Sequence, residues 1–193
     1  MKISKNCITL LILITMAPVL QAAGLEVQYR CLNIDPVTQQ IQFQLNIVNN
    51  SDQPVNLQEL KIHYYYTGQD PATTSLNIDY ALFGSSNVLS SLQPGYLELG
   101  FTAGAGIIPA GGESGEVQLR LYNHDWSVIN QADDYSFLPG ATRLSAQPAI
   151  TLENNTVLLW GTSPGDQPAA SPQIETGAMG STPSTDMPLA HNE

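Results

Sequence analysis

Hydrophobic and polar residues alternate along several short segments of this chain, a pattern typical of β-strands that bury one face. The clearest example begins at Ile41, where the apolar residues 41, 43, 45 and 47 are separated by amides. The same alternation recurs in residues 60–66, 97–101 and 117–121. No segment has the periodicity of an amphipathic helix. The pattern therefore predicts an all-β protein.

Turn-forming residues separate these segments. Gly or Pro occurs in the gaps at 51–54, 93–95 and 104–112, and Asn154-Asn155 lies between the apolar runs 150–152 and 157–160. Asn tolerates a positive φ, so these last two runs are expected to form a closing hairpin. Many short strands joined by turns favour an antiparallel β-sandwich or jelly roll.

The two ends of the chain differ in composition from its centre. Lys2 and Lys5 precede an apolar run at 8–20, and small residues follow, so residues 1–23 are interpreted as a signal peptide. A membrane anchor is the alternative, but the run is short for a bilayer and contains Pro18. Residues 164–193 are rich in Pro, Ala, Ser and Thr and are expected to be a disordered acidic tail. The predicted folded domain is 24–163, and the protein is expected to be secreted.

The charge of the chain disfavours two classes of partner. The formal net charge is −11 at pH 7, and removal of a segment that holds Lys2, Lys5 and no acid makes it −13. So acidic a chain repels nucleic-acid phosphates and anionic membrane surfaces. A neutral polysaccharide is compatible with this charge. Cys31 would be the one cysteine left, and it is interpreted as a buried apolar side chain rather than a reactive thiol.

Eight segments, in order and with similar spacing, give the chain a specific resemblance. It resembles the family 3 carbohydrate-binding modules, the cellulose-binding domains of scaffoldins and bacterial cellulases, over residues 25–164. The segments are 25–29, 54–57, 62–67, 96–102, 115–120, 125–127, 130–137 and 159–161. The resemblance implies a nine-stranded antiparallel jelly-roll sandwich, a structural Ca²⁺, and a flat face that adsorbs to cellulose.

The resemblance also implies which residues form that face. A glucose ring has an apolar plane and hydroxyl edges, so a binder needs aromatic faces for stacking and polar groups for the edges. The positions that match the family's flat strip and polar anchors are Asp79, Tyr80, Arg120, Trp126, Gln118 and Asn33. Asp79 and Arg120 are expected to form a planar ion pair, although an ordinary surface pair is the alternative. Trp160, Tyr64 and Tyr135 are assigned to the core.

Departures from the family pattern leave the ligand open. The loop at 84–88 is short and lacks a further strip tyrosine, and Ala141, Asp35 and Gln39 stand where the family has other polar anchors. Crystalline cellulose is the expected ligand, and amorphous cellulose or another β-glucan is the alternative.

The family's calcium site also has matching positions here. They are Thr67, Gln69, Asn130, Asp133 and Asp134, with Gln69 expected to offer a backbone oxygen. All can supply the oxygen ligands that Ca²⁺ prefers. The alternative is a solvated acidic loop without a metal.

Three classes of function are compatible with the sequence to different degrees. The first is a non-catalytic binding protein, acting alone or alongside separate cellulases. The second is an enzyme, which is disfavoured because no pair of carboxylates flanks a predicted cleft and the three histidines lack metal-ligand spacing. The third is an extracellular adhesion or matrix protein that uses the same sandwich.

Overall fold

The computed structural model describes residues 24–166, which fold into two β-sheets packed face to face. Each strand pairs antiparallel with its neighbours. In chain order the strands are β1 (Leu25–Cys31), β2 (Val37–Thr38), β3 (Ile41–Asn49), β4 (Val55–Asn56), β5 (Leu60–Tyr65), β6 (Thr74–Ala81), β7 (Val88–Gln93), β8 (Tyr96–Phe101), β9 (Ile107–Ile108), β10 (Val117–Asn123), β11 (Ile129–Asn130), β12 (Ser145–Ala146), β13 (Ile150–Asn154) and β14 (Val157–Trp160).

Ten of these strands form the two main sheets. The first sheet has the order β12-β1-β3-β10-β6, and the second has the order β14-β13-β5-β8-β7. Two short ribbons, β11-β2 and β4-β9, complete the strands, and three short 3₁₀ helices lie at Leu57–Glu59, Ser85–Asn87 and Ala103–Ala105. The all-β prediction is confirmed. The count of nine strands is not verified, because the described residues divide into fourteen strand segments.

The core lies between the inner faces of the two sheets. Along β1, β3, β5, β8 and β10, apolar side chains at alternate positions are buried, as the sequence pattern predicts. The two sheets meet through stacked rings: Phe43 and Tyr64 have centroids 4.4 Å apart and planes inclined by 12°. Cys31 is buried in this core, as interpreted from the sequence, and burial raises the pKa of its thiol. The thiol form is therefore favoured over the thiolate.

Of the three aromatic residues assigned to the core, one lies elsewhere. Tyr64 is fully buried, and Trp160 is half-buried and packs against the core. Tyr135 is instead half-buried on the second sheet's side, where its ring contacts Tyr65 edge-on at 5.9 Å. The sequence could not distinguish these environments, because Tyr135 lies in a loop without strand alternation.

The predicted closing hairpin is confirmed as β13 and β14. Its two turn residues are Asn155 and Thr156, which have φ values of 47° and 73°, and Asn154 pairs with Val157. The turn is thus one residue later than expected. Positive φ at both positions matches the right-handed twist of the flanking strands.

The two predicted end segments lie largely outside the structural description. The signal peptide at 1–23 and all but the first three residues of the tail at 164–193 fall outside residues 24–166. Within the described residues, no helix has the length and hydrophobicity needed to cross a bilayer.

Candidate functional site

A β-bulge in β6 brings two adjacent residues to the outer face of the first sheet. Gln118 pairs with Tyr80 and Leu119 pairs with Ile78, so Asp79 has no partner residue on β10. In a regular strand, Asp79 and Tyr80 would point to opposite faces. The extra residue places both outside, where Tyr80 is 43% exposed and the Asp79 side chain is 36% exposed.

Gln118 and Arg120 lie on the same outer face of β10, next to these residues. Arg120 Nε lies 3.0 Å from Asp79 Oδ1, and both side chains are 36% exposed. The Arg120 Nε–H is not aligned for a hydrogen bond, so the pair makes one ionic contact and not the expected two-point planar fork. Arg120 pairs with Asn77 and not with Asp79, so the two charged side chains meet diagonally and not directly across the strands. An exposed pair of this kind contributes about 0–1 kcal/mol to stability.

Trp126 lies in the turn that follows β10, and it points outward. Its side chain is 48% exposed, its φ is 60°, and its backbone N–H donates to the Asn123 carbonyl at 2.9 Å. The indole stacks on Tyr122, with centroids 4.9 Å apart and planes inclined by 14°. Gln39 Nε2 donates to the Trp126 carbonyl at 2.9 Å. These three contacts hold the turn and the ring in place.

We call these outward residues the β10 surface: Asp79, Tyr80, Gln118, Arg120, Tyr122 and Trp126. The structure brings five of the six predicted binding residues to it. Tyr122 was missed by the sequence analysis, although it continues the alternation of Gln118 and Arg120 along β10. That period-2 pattern is the signal that could have identified it.

Amide side chains extend the β10 surface across β3. Gln42 pairs with Arg120 and Gln44 pairs with Gln118, so both amides lie beside the surface. Gln42 Nε2 donates to Gln40 Oε1 at 2.8 Å, and the Gln44 and Gln118 amides both donate to Glu116 Oε1. This amide-rich face provides polar groups next to the aromatic rings.

Asn33 lies in the loop between β1 and β2, and its amide is used within that loop. Its Nδ2 donates to Thr38 Oγ1 at 2.6 Å and to the Gln40 carbonyl at 3.0 Å, and its Oδ1 accepts from the Asp35 N–H at 3.2 Å. These contacts account for both donor hydrogens. Asn33 therefore orders the loop that carries Gln39 towards Trp126.

The residues predicted to bind Ca²⁺ come together at the end of the sandwich next to Trp126. Thr67, Gln69, Asn130 and Asp133 line one cavity of about 220 Å³. Thr67 Oγ1 donates to the Asp133 carbonyl at 3.1 Å. The fifth residue adjoins the cavity, since the Thr67 N–H donates to Asp134 Oδ1 at 2.7 Å.

The donor atoms of this cavity fit a hard cation better than a transition metal. Asp134 Oδ2 and Gln69 Oε1 are buried and have no hydrogen-bond partner in the described part of the chain, which is unusual for buried oxygens. Burial, together with the charge of Asp133, raises the pKa of Asp134 to about 7. Residues 24–166 hold no cluster of three or more His, Cys, Asp or Glu side chains arranged around one metal. Amide, hydroxyl and backbone oxygens would have to complete the ligand set, as they do for Ca²⁺.

Comparison with known families agrees with this geometry. The model of the family described as "Cellulose binding domain" matches residues 26–161. The chain belongs to this family. It is a family 3 carbohydrate-binding module, as the resemblance of its eight segments predicts.

Relatives of this family 3 module differ widely in length. The chain is 40% identical over 144 residues to an uncharacterized protein in the celA 5′ region of Paenibacillus lautus, covering 71% of this chain and 99% of that protein. It is 39% identical over 150 residues to endoglucanase A of the same organism, covering 74% of this chain but only 21% of that enzyme. The module thus spans a small part of the enzyme it matches.

A solved family 3 module has the same fold. The carbohydrate-binding module CBM3b from the cellulosomal cellobiohydrolase 9A of Clostridium thermocellum aligns with a TM-score of 0.68 and 35% identity. The alignment covers 74% of this chain and 99% of that structure. The jelly-roll sandwich predicted from the sequence is therefore confirmed.

Proposed function

We propose that this protein is a secreted, non-catalytic module that adsorbs to cellulose through the β10 surface. The family assignment supports a cellulose-binding function, and the bulge at Asp79 is the observation that supports this particular face. It places Asp79 and Tyr80 on the same side of the sheet as Arg120. Stacked rings and fixed amides are the groups that a sugar surface requires.

The chemistry of the surface suits an uncharged, flat ligand. Tyr80 and Trp126 are 43% and 48% exposed, so each can still bury area against a pyranose ring. Full burial of such a side chain contributes about 1.5–3 kcal/mol. The amides of Gln42 and Gln118 can exchange hydrogen bonds with hydroxyls at the edges of the glucan chains. Binding here needs no nucleophile and no general acid.

We also propose that a structural Ca²⁺ binds in the cavity lined by Thr67, Gln69, Asn130 and Asp133, beside Asp134. When bound, it would supply positive charge to buried oxygens that otherwise lack partners. The side chains come from the segment after β5 and from β11 and the loop after it. Holding these two segments together would order the end of the sandwich that carries Trp126.

Adsorption to cellulose tests the proposed function. Wild type, Trp126→Ala and Tyr80→Ala are incubated with microcrystalline and with acid-swollen cellulose, and the free protein is measured. The Trp126→Ala variant is expected to bind about tenfold more weakly, which corresponds to 1.4 kcal/mol. Exposed Leu89, on the second sheet, provides the control substitution Leu89→Ala, which should bind as wild type does.

The same assay decides between the possible ligands. Preference for the microcrystalline form supports crystalline cellulose, and preference for the swollen form supports amorphous chains. Full retention of binding by both variants on both substrates would exclude the β10 surface as the binding face. If wild type binds neither the microcrystalline nor the swollen form, cellulose is excluded as the ligand and an adhesion or matrix role is favoured.

A further inference from the structure

The row of outward residues on β6 continues one residue past the end of that strand, to Leu82. Ala81 pairs with Val117 and both are buried, so the residues on either side of Ala81 point to the outer face of the sheet. The Leu82 N–H donates to the Glu116 carbonyl at 3.0 Å, which extends the pairing of β6 with β10 by one residue. Leu82 therefore lies on the same face as Tyr80.

The Leu82 side chain is unusually accessible for its size. It is 65% exposed, a larger fraction than that of any other large apolar side chain within residues 24–166. Single exposed leucines are common on protein surfaces, so exposure by itself assigns no role. The position of Leu82 is what distinguishes it, because it continues the face on which the Tyr80 ring is also exposed. Together the two side chains form one apolar stretch along β6.

Gly115 determines where the Leu82 side chain lies. This glycine is buried and has a φ of 82°, and a Cβ atom at residue 115 would overlap Leu82 Cδ2. The Leu82 side chain thus covers the backbone of Gly115 and does not extend freely into solvent. Because its position is set before a ligand arrives, less conformational entropy is lost when a ligand contacts it.

A carboxylate lies beside Leu82 on the same face. Glu116 is opposite Leu82 in the extended pairing, and facing side chains of this kind have Cβ atoms about 4.5–5.5 Å apart. Glu116 Oε1 accepts from the amides of Gln44 and Gln118, which hold the carboxylate in one orientation. Within residues 24–166, Glu116 Oε2 takes part in no hydrogen bond or ion pair. This oxygen can accept from a sugar hydroxyl, and a carboxylate accepts more strongly than a neutral amide.

Leu82 and Glu116 adjoin the β10 surface at the end farthest from Trp126. From Glu116 to Tyr122, β10 advances six residues, which is about 20 Å along the strand. Outward side chains of β6 and β10 occupy the positions between these ends. The apolar and polar groups therefore form a continuous row on two neighbouring strands. A row of this shape fits an extended chain of sugar rings better than a single ring.

We propose that Leu82 and Glu116 form an additional sugar-binding position at this end of the β10 surface. Leu82 contacts the apolar face of a pyranose ring, and Glu116 accepts a hydrogen bond from one of the ring's hydroxyls. This inference rests on the proposed function, because it lengthens the same binding face. It also specifies a neutral glucan as the ligand, since the Glu116 carboxylate repels sugars that carry carboxylates.

Adsorption isotherms on microcrystalline cellulose test the contribution of Leu82. Leu82→Ala should weaken adsorption about threefold, because part of the apolar area buried against the ligand is lost. Leu82→Tyr should bind at least as tightly as wild type, since a phenol ring offers a larger apolar face. Ile107→Ala is the matched control. It removes a side chain of similar exposure, 63%, from the β4–β9 ribbon and should bind as wild type does.

Cellulose whose surface carries carboxylates tests the contribution of Glu116. Wild type should bind this material more weakly than unmodified cellulose. Glu116→Gln should reduce the difference between the two materials and should weaken adsorption to unmodified cellulose about twofold. Glu59→Gln removes one exposed acid outside both main sheets, so it should leave the difference as in wild type. A difference that is unchanged in Glu116→Gln would exclude Glu116 from this position.

Hydroxyl-radical labelling locates the contact without any substitution. Leu82 should be labelled several-fold less in adsorbed than in free protein, and Ile107 equally in both states. Equal labelling of Leu82 in the two states, or wild-type affinity of Leu82→Ala, would overturn the proposal. If Trp126→Ala still binds more weakly, the proposed function stands without this position. If Trp126→Ala, Tyr80→Ala and Leu82→Ala all bind as wild type does, the β10 surface itself is excluded.

Discussion

The indole of Trp126 stacks on the phenol ring of Tyr122, with centroids 4.9 Å apart and planes inclined by 14°. One ring lies on a strand and the other in the turn that follows it. Contact with Tyr122 therefore fixes the orientation of the most exposed aromatic ring of the β10 surface. A preorganised ring loses less conformational entropy when it meets a ligand than a free one.

Tyr122→Ala is predicted to weaken adsorption to cellulose although Tyr122 need not contact the ligand. The variant removes the stacking partner of Trp126, and such pairs contribute about 0.5–1.5 kcal/mol, so affinity should fall about 2–10-fold. Binding isotherms on microcrystalline cellulose provide the measurement. Tyr122→Phe keeps the ring and should retain wild-type affinity. Identical isotherms for the Ala variant and wild type would show that Trp126 orients itself without this contact.

Deletion of Asp79 is predicted to keep the fold and restore regular pairing between β6 and β10. Without the extra residue, Ile78 still points inward and Tyr80 still points outward, because the two become adjacent. NMR contacts between Tyr80 and Gln118 should therefore persist. Stability should change by no more than about 1 kcal/mol from the lost ion pair, since both partners are exposed. Loss of amide protection throughout β6 would instead mean that the bulge is required for pairing.

Calcium is predicted to stabilise the protein against heat. At a free concentration 100 times its Kd, a ligand that binds only the folded state adds about 2.7 kcal/mol, so Tm should rise in Ca²⁺ and fall in chelator. Differential scanning calorimetry measures Tm under both conditions. Asp134→Asn removes a buried carboxylate, so it should raise Tm in chelator and abolish the increase in Ca²⁺. Asp52→Asn, at an exposed turn, should behave as wild type. Equal Tm values with Ca²⁺ and with chelator would argue against the site.

Glu98→Gln is predicted to destabilise the protein at neutral pH and to have little effect in acid. Burial by itself would raise the pKa of Glu98, but hydrogen bonds from Lys61 and His63 outweigh burial and lower it. The folded-state pKa thus lies below that of the unfolded chain, about 4.3. The stabilisation is present above that value and is lost as pH falls through the folded-state pKa.

Urea unfolding at pH 7 and at pH 3 measures this dependence. The free energy of unfolding of Glu98→Gln should be about 1 kcal/mol lower than that of wild type at pH 7, and the difference should be much smaller at pH 3. Glu26→Gln is the matched control, because Glu26 is also a partly exposed strand glutamate but lies on the first sheet. A deficit of equal size at both pH values would mean that Glu98 stabilises the sheet through packing and not through its charge.

Much of the fold could be predicted from local pattern. Alternation identified β3, β5, β8 and β10, because each buries one face in a shared core. β6 was not assigned from the sequence. Its bulge interrupts the alternation at Asp79, where two successive residues point outward. A period-2 pattern cannot reveal a strand at the point where the strand departs from that period.

The candidate residues illustrate the same limit. Asn33 could be placed by resemblance, but the use of its amide within its own loop depends on Thr38 and Gln40 being folded back towards it. A groove around His63, on the outer face of the second sheet, was not predicted at all. Its lining comes from three strands that are distant in sequence, and each contributes only one or two polar residues to an otherwise ordinary strand pattern.

The sequence by itself determined the fold class, the family and the identity of the outward-facing residues on each regular strand, because side-chain direction follows from strand periodicity. Only the tertiary structure decided which of those faces meet. The single contact between Asp79 and Arg120 and the groove around His63 on the second sheet both depend on strand order and register. These arise from pairing between distant segments, which local sequence does not encode.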